Sequence, residues 1–219
     1  MRTQALFLTA CLTLLTACSV PATTPTPPLP PFPTPVAPQT VLPASTPCLE
    51  PNPQQTLAVG QSRELPDLPA AQAAVPFTVT APAGWETAPV LVGIILTEAD
   101  NGDRNLSLTY RPWKPSGEWP VVYMEIMFAQ TRQSIVEYLQ AGLVNACVLT
   151  PVSLRQGQGY TFWDAGEGKS NAAVLIWQEG DLKTSIWLIG KGVTPTDANP
   201  HPWDKLLFEV AESMKPVEP

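Results

Sequence analysis

Between residues 77 and 189 the chain alternates apolar and polar positions in short runs broken by turn residues, the pattern of β-strands. Phe77-Thr78-Val79-Thr80 alternates and stops at Ala81-Pro82-Ala83-Gly84. Residues 90–96 are apolar on both faces, Asn101-Gly102 marks a hairpin, and Leu106-Ser107-Leu108-Thr109-Tyr110 alternates again. Residues 121–128 place Val122, Met124, Ile126 and Phe128 on one side. Strand-like segments return at residues 144–149, 152–154 and 160–163. A second hairpin pairs residues 172–177 with 182–189 across Gln178-Glu179-Gly180-Asp181.

Helical signals sit at three places. Asp67 caps a short helix through Ala74, with Pro69 in the first turn, where no backbone donor is missed. Ser134-Ile135-Val136-Glu137 has the spacing of a capping box, opening a helix through Gln140 with Gly142 as its stop and Ile135, Leu139 and Leu143 on the buried side. From about Pro202, Trp203, Leu206, Leu207, Val210 and Met214 recur at helical spacing. Tight hairpins require antiparallel pairing. The fold class expected is α+β, a single domain with a curved antiparallel sheet flanked by helices. Residues 90–96, 172–177 and 182–189 are apolar on both faces, so the sheet is expected to be covered on both sides.

The N-terminal part is different. Arg2 precedes an apolar run from Ala5 to Leu15, too short to span a membrane, as in a secretory signal. The run ends in Leu15-Thr16-Ala17-Cys18, which resembles the lipobox of bacterial lipoproteins. That resemblance implies that residues 1–17 are a signal peptide and that Cys18 carries the lipid. The plain alternative is an ordinary secretory signal with a chance cysteine. Residues 20–54 are rich in Pro, Thr, Ala and Ser with almost no charge, and read as a disordered, semi-rigid tether. The organisation expected is therefore a leader at 1–17, a lipidated cysteine and tether at 18–55, and an extracytoplasmic α+β domain at 56–217. The protein would sit in the bacterial cell envelope, on the outer membrane if the cell has one.

The 219 residues carry a net charge of −7, which supports neither a nucleic-acid groove nor a polybasic membrane patch. Cys11 leaves with the leader and Cys18 takes the lipid, so Cys48 and Cys147 remain. In an oxidising compartment an even pair invites a disulfide, the alternative being a buried Cys147 and an exposed free Cys48.

Candidate chemistry is sparse, and no catalytic residue, metal or cofactor is assigned. The one histidine, His201, lies between two prolines. Gly168-Lys169-Ser170 copies the end of a phosphate-binding loop but lacks its first glycine, and Gly157-Gln158-Gly159 precedes a strand instead of a helix. Glu98, Asp100 and Asp103 surround a hairpin tip without calcium-loop spacing. Among seven tryptophans, Trp113 and Trp119 stand out in a Pro/Gly loop beside Arg111 and Lys114. These four residues are the candidate binding site, as an aromatic lip. The other reading has the rings folded back over a sheet edge.

Four stretches carry a family resemblance: Phe77 to Trp85, Leu106 to Tyr110, Val174 to Trp177 with the Glu179-Gly180 turn, and Ala211 to Lys215. From about Leu65 to Val217 the chain resembles the extracytoplasmic domain of unknown function 4367 of bacterial lipoproteins. Phe77 to Trp85 and Ser134 to Tyr138 are equally similar to PsbP-like and Mog1-like domains. Either resemblance implies an antiparallel sheet with helices, and neither carries known active-site residues. The function expected is a lipid-anchored, non-catalytic binding module for envelope sensing or assembly. Its partners would be the membrane, through the N-terminal lipid, and an envelope protein. A carrier of an apolar ligand between sheet and helices is the alternative, and a hydrolytic enzyme the second alternative.

Overall fold

The computed structural model describes residues 48–49, 60–116, 119–141, 146–154, 157–164, 172–190 and 202–218. The leader, Cys18, the tether, Gly142, Leu143, His201 and Gly168-Lys169-Ser170 lie outside the described residues.

The strands are β1 (Gly60–Glu64), β2 (Thr80–Pro82), β3 (Leu91–Ala99), β4 (Arg104–Trp113), β5 (Val122–Gln130), β6 (Ala146–Leu154), β7 (Gly157–Asp164), β8 (Ala172–Glu179), β9 (Leu182–Gly190) and β10 (Met214–Pro216). The helices are α1 (Leu68–Ala74), α2 (Ile135–Ala141) and α3 (Asp204–Ser213). Eight strands form one antiparallel sheet in the order β1-β3-β4-β5-β9-β8-β7-β6, and β10 pairs with β2 in a separate ribbon. The class is α+β.

Local chemistry explains the helix starts. The Asp67 carboxylate accepts from the Ala70 backbone N–H at 2.8 Å. In α2 the Ser134 N–H donates to Glu137 Oε2 at 2.7 Å while the Glu137 N–H donates to Ser134 Oγ at 3.2 Å, a reciprocal capping box. The first hairpin turns at Gly102, whose φ of 87° lies in the region that favours glycine.

Alternation along β8 divides its side chains between two cores. Ala173, Leu175 and Trp177 join the larger cluster, under α1, α3 and the β2–β10 ribbon, with Leu96, Leu106, Met124, Ile126, Trp203 and Leu207. Ala172, Val174 and Ile176 join the smaller cluster with Ile135, Tyr138 and Leu139 of α2. The Trp203 ring lies so close to Gly190 that a Cβ there would come within 2.6 Å of it, so this strand end requires glycine.

Three expectations need correction. Phe77–Thr80 is not a full strand, because the Gln72 side chain takes the backbone groups that a ladder would use: its Nε2 donates to Phe77 O at 3.0 Å, and the Val79 N–H donates to its Oε1 at 2.7 Å. Only β2 remains. Residues 146–149 and 152–154 belong to one strand, β6, whose register shifts between Cys147 and Thr150, while residues 144 and 145 lie outside the described residues. Its edge position tolerates Pro151. The apolar strand at 90–96 is not covered on both sides. Val90, Val92 and Ile95 are exposed, because α2 has only seven residues and packs on β8, away from β3.

Candidate functional site

Antiparallel strands return the chain to the same end of the sheet at every second turn. At one such end the β3–β4 turn, the β8–β9 turn and the loop from β5 into α2 come together. The Thr131 N–H donates to Asp181 O at 3.1 Å, tying the loop to the β8–β9 turn. Asp103 is held by Asn101, whose Nδ2 donates to Asp103 Oδ2 at 3.1 Å and whose Oδ1 accepts from the Asp103 N–H at 3.0 Å. Between these turns lies a cleft of about 560 Å3 lined by Asn101, Gly102, Asp103, Gln130, Thr131, Arg132, Gln133 and Asp181. A recess of about 160 Å3 shares Asp103, Gln130, Thr131 and Gln133 with it and reaches Asn105 and Tyr138.

Lys183 is buried next to this cleft, 1% exposed in the middle of the sheet. Its Nζ donates to the Thr131 carbonyl at 3.0 Å. Burial lowers its pKa from the usual lysine range, and the carboxylates of Asp181, Asp103 and Glu137 push it back up. Burial raises the Tyr138 phenol to about 12; Glu125 adds to the rise and the hydrogen bond with Asn105 works against it. Asn105 Oδ1 is buried and accepts no hydrogen bond. Glu137 is held below the ordinary carboxylate range by the Ser134 hydrogen bonds of the capping box.

These shifts give a pH signature. The folded chain keeps the Tyr138 proton up to about pH 12, whereas the unfolded chain loses it near 10. Stability from this group is therefore full below pH 10 and falls as pH rises toward 12. Tyr110, also raised by burial, acts in the same direction. Lys183 acts oppositely, because its lowered pKa makes the unfolded chain the better proton binder just below 10.5. Melting curves between about pH 9 and 12 should show a net fall, and Tyr138→Phe should flatten it. An unchanged slope in that variant would refute the assignment.

Of the residues singled out in the sequence, Cys48 and Cys147 are joined by a disulfide with Cα atoms 4.0 Å apart. The bond lies beside the bridge of Leu49 to Ala146, where the Leu49 N–H donates to Ala146 O at 2.7 Å. The tryptophan loop is not a free lip. Trp113 is 3% exposed, packs edge-on against Trp85 with centroids 4.7 Å apart, and donates Nε1–H to Thr87 O at 2.6 Å. Trp119 is partly buried and stacks on Trp203 at 6.3 Å, with Lys205 Nζ 5.7 Å from the Trp119 centroid. A large apolar ring with one N–H is best served by an interior place that supplies an acceptor, and Trp113 has found one. Arg111 and Lys114 remain exposed.

The acids at the hairpin tip separate. Glu98 pairs with Arg104 at 3.1 Å and with Arg63 at 3.7 Å, while Asp103 faces the cleft. Among the described residues no group of three His, Cys, Asp or Glu side chains is placed to hold a metal, and no helix is long and apolar enough to cross a membrane. The cleft itself escapes sequence reasoning. Its one sequence signal is Lys183, a charge inside an otherwise uncharged strand. No family model, curated protein or solved structure matches the chain.

Proposed function

We propose that this chain is a lipid-anchored, non-catalytic binding module of the bacterial envelope, held outside the cytoplasm through Cys18 and spaced from the membrane by its Pro-rich segment. The anchor and leader rest on Leu15-Thr16-Ala17-Cys18 and the apolar run before it. The resemblance to domain of unknown function 4367 fits the same setting.

The observation that carries the binding reading is the polar cleft. Asn101, Gln130 and Gln133 present amides beside the carboxylates of Asp103 and Asp181 and the Arg132 guanidinium, so the lining both donates and accepts hydrogen bonds. Beside them Lys183 is pinned by the Thr131 carbonyl. Such a recess is equipped for hydrogen-bonded recognition, and its partner is a polar segment of an envelope protein.

Two arms test the proposal. Lipid mass at Cys18 and an unprocessed precursor in Cys18→Ser are expected; soluble wild-type protein without lipid would defeat the anchor. Asn101→Ala combined with Gln133→Ala, both at the surface of the cleft, should leave the melting temperature within a few degrees. It should also remove cross-linking to an envelope protein in intact cells. Undiminished cross-linking would defeat the cleft as the binding site.

A further inference from the structure

We propose that one end of the sheet face opposite α1 and α3 docks on a bilayer surface bearing anionic headgroups. Five large apolar side chains are exposed among the described residues: Val90 (54%), Val92 (50%), Ile95 (42%), Val121 (52%) and Tyr123 (53%). Their placement is not scattered. Val122 and Met124 are buried in the larger core, so Val121 and Tyr123 point to the opposite face. Ile95 lies between buried Ile94 and Leu96 and therefore points the same way. Leu91 packs against the larger core, Val90 precedes it, and Val92 follows at the register shift between Leu91 and Gly93. The five residues thus lie at β3 and β5, on either side of exposed Thr109 and Arg111 of β4, four of them at the end where β3 and β5 begin.

Two exposed cations stand at that same end. The Arg111 N–H donates to Val90 O at 2.9 Å, placing Arg111 directly across from the apolar cluster, and Lys114 follows inward-facing Trp113. The chain as a whole carries −7, so a positive spot here departs from the rest of the molecule. Acids border this patch: exposed Glu86 lies four residues before Val90, and two more stand on the strands. Glu125 is half-buried and accepts the Ser107 hydroxyl, and Glu64 lies on β1 opposite Ile95.

Aliphatic side chains spread over a sheet, a tyrosine with a polar tip, and two cations beside them match a headgroup interface. An isologous dimer centred on the patch would instead bring these cations against their own copies. That a membrane is nearby rests on the lipid anchor proposed above. The docking itself does not, and is measured without the lipid.

The test uses the full chain carrying Cys18→Ser, mixed with phosphatidylcholine vesicles with and without phosphatidylglycerol. The apolar leader contributes equally to every variant, so differences report the patch. Removing both cations by Arg111→Gln and Lys114→Gln should lower partitioning onto phosphatidylglycerol vesicles about 25-fold, roughly fivefold per charge, and leave phosphatidylcholine binding unchanged. Val92→Ser with Tyr123→Ser should weaken binding to both. Partitioning equal to that of the parent in both variants would overturn the proposal. So would a concentration-dependent dimer abolished by the same substitutions, or their loss of an envelope-protein partner with vesicle binding intact.

Discussion

Trp113→Ala should lower the stability of the domain by about 3–5 kcal/mol, a loss typical of removing a buried large aromatic side chain. The ring is nearly inaccessible, meets Trp85 edge-on, and satisfies its N–H on the Thr87 carbonyl. Truncation removes the apolar burial, the aromatic contact and that bond together. It also loosens the segment between β2 and β3 to which Thr87 belongs. Trp113→Phe separates these contributions by keeping most of the packing while deleting the donor, and should cost less. Urea unfolding followed by far-ultraviolet circular dichroism measures both. A Trp113→Ala midpoint close to that of the wild type would show that the ring is not part of the core. Trp119, only partly buried on Trp203, should cost less than Trp113.

Opening the Cys48–Cys147 bond should have an effect of similar size. The two cysteines are 99 positions apart. Closing a loop of that length restricts the unfolded chain by up to about 4.7 kcal/mol in chain-entropy accounts. In the folded state the bond also holds Leu49 against Ala146, where Leu49 packs on the smaller core. A domain of this size shifts by roughly 2–4 °C per kcal/mol, so dithiothreitol, or Cys48→Ser with Cys147→Ser, should lower the melting temperature by about 10 °C. Mapping of unreduced peptides should recover the linked pair, and two free thiols in exported protein would refute the bond.

What the sequence made legible was local. Asp67 and the Ser134/Glu137 pair announce their helices because capping involves residues only three apart. Asn101-Gly102 and Gly180-Asp181 mark turns because the backbone demands them there. Val122 to Phe128 betrays a half-buried strand through strict alternation. β1 was invisible, because Gly60-Gln61-Ser62-Arg63-Glu64 is polar throughout. As an edge strand it depends on backbone pairing with β3, and polar side chains suit an edge. The apolar pattern of residues 90–96 marks a strand but not its exposed face, since periodicity does not say whether a helix lies above it. The cleft was hidden for another reason. Each of its turns could be read separately, but their meeting depends on β5 pairing with β9, far apart in the chain. Trp113 reads either as a lip or as a ring folded back on the sheet, because periodicity does not show that a carbonyl acceptor such as Thr87 O lies behind it.

The pairing of β5 with β9 also bears on how the chain reaches its fold. β3, β4 and β5 form one meander, and β6, β7, β8 and β9 another, each built by neighbours in sequence. Within the sheet the seam from Val122↔Gly190 to Gln130↔Leu182 joins them, and forming it means closing the chain that holds α2 and three strands. Loop closure of that kind is entropically costly until many contacts form together. Ile126 and Ile186 face each other across the seam, and both are fully buried. Assembly is thus expected to wait on the meeting of the two meanders, whereas opening a hairpin tip, including those around the cleft, breaks only local contacts.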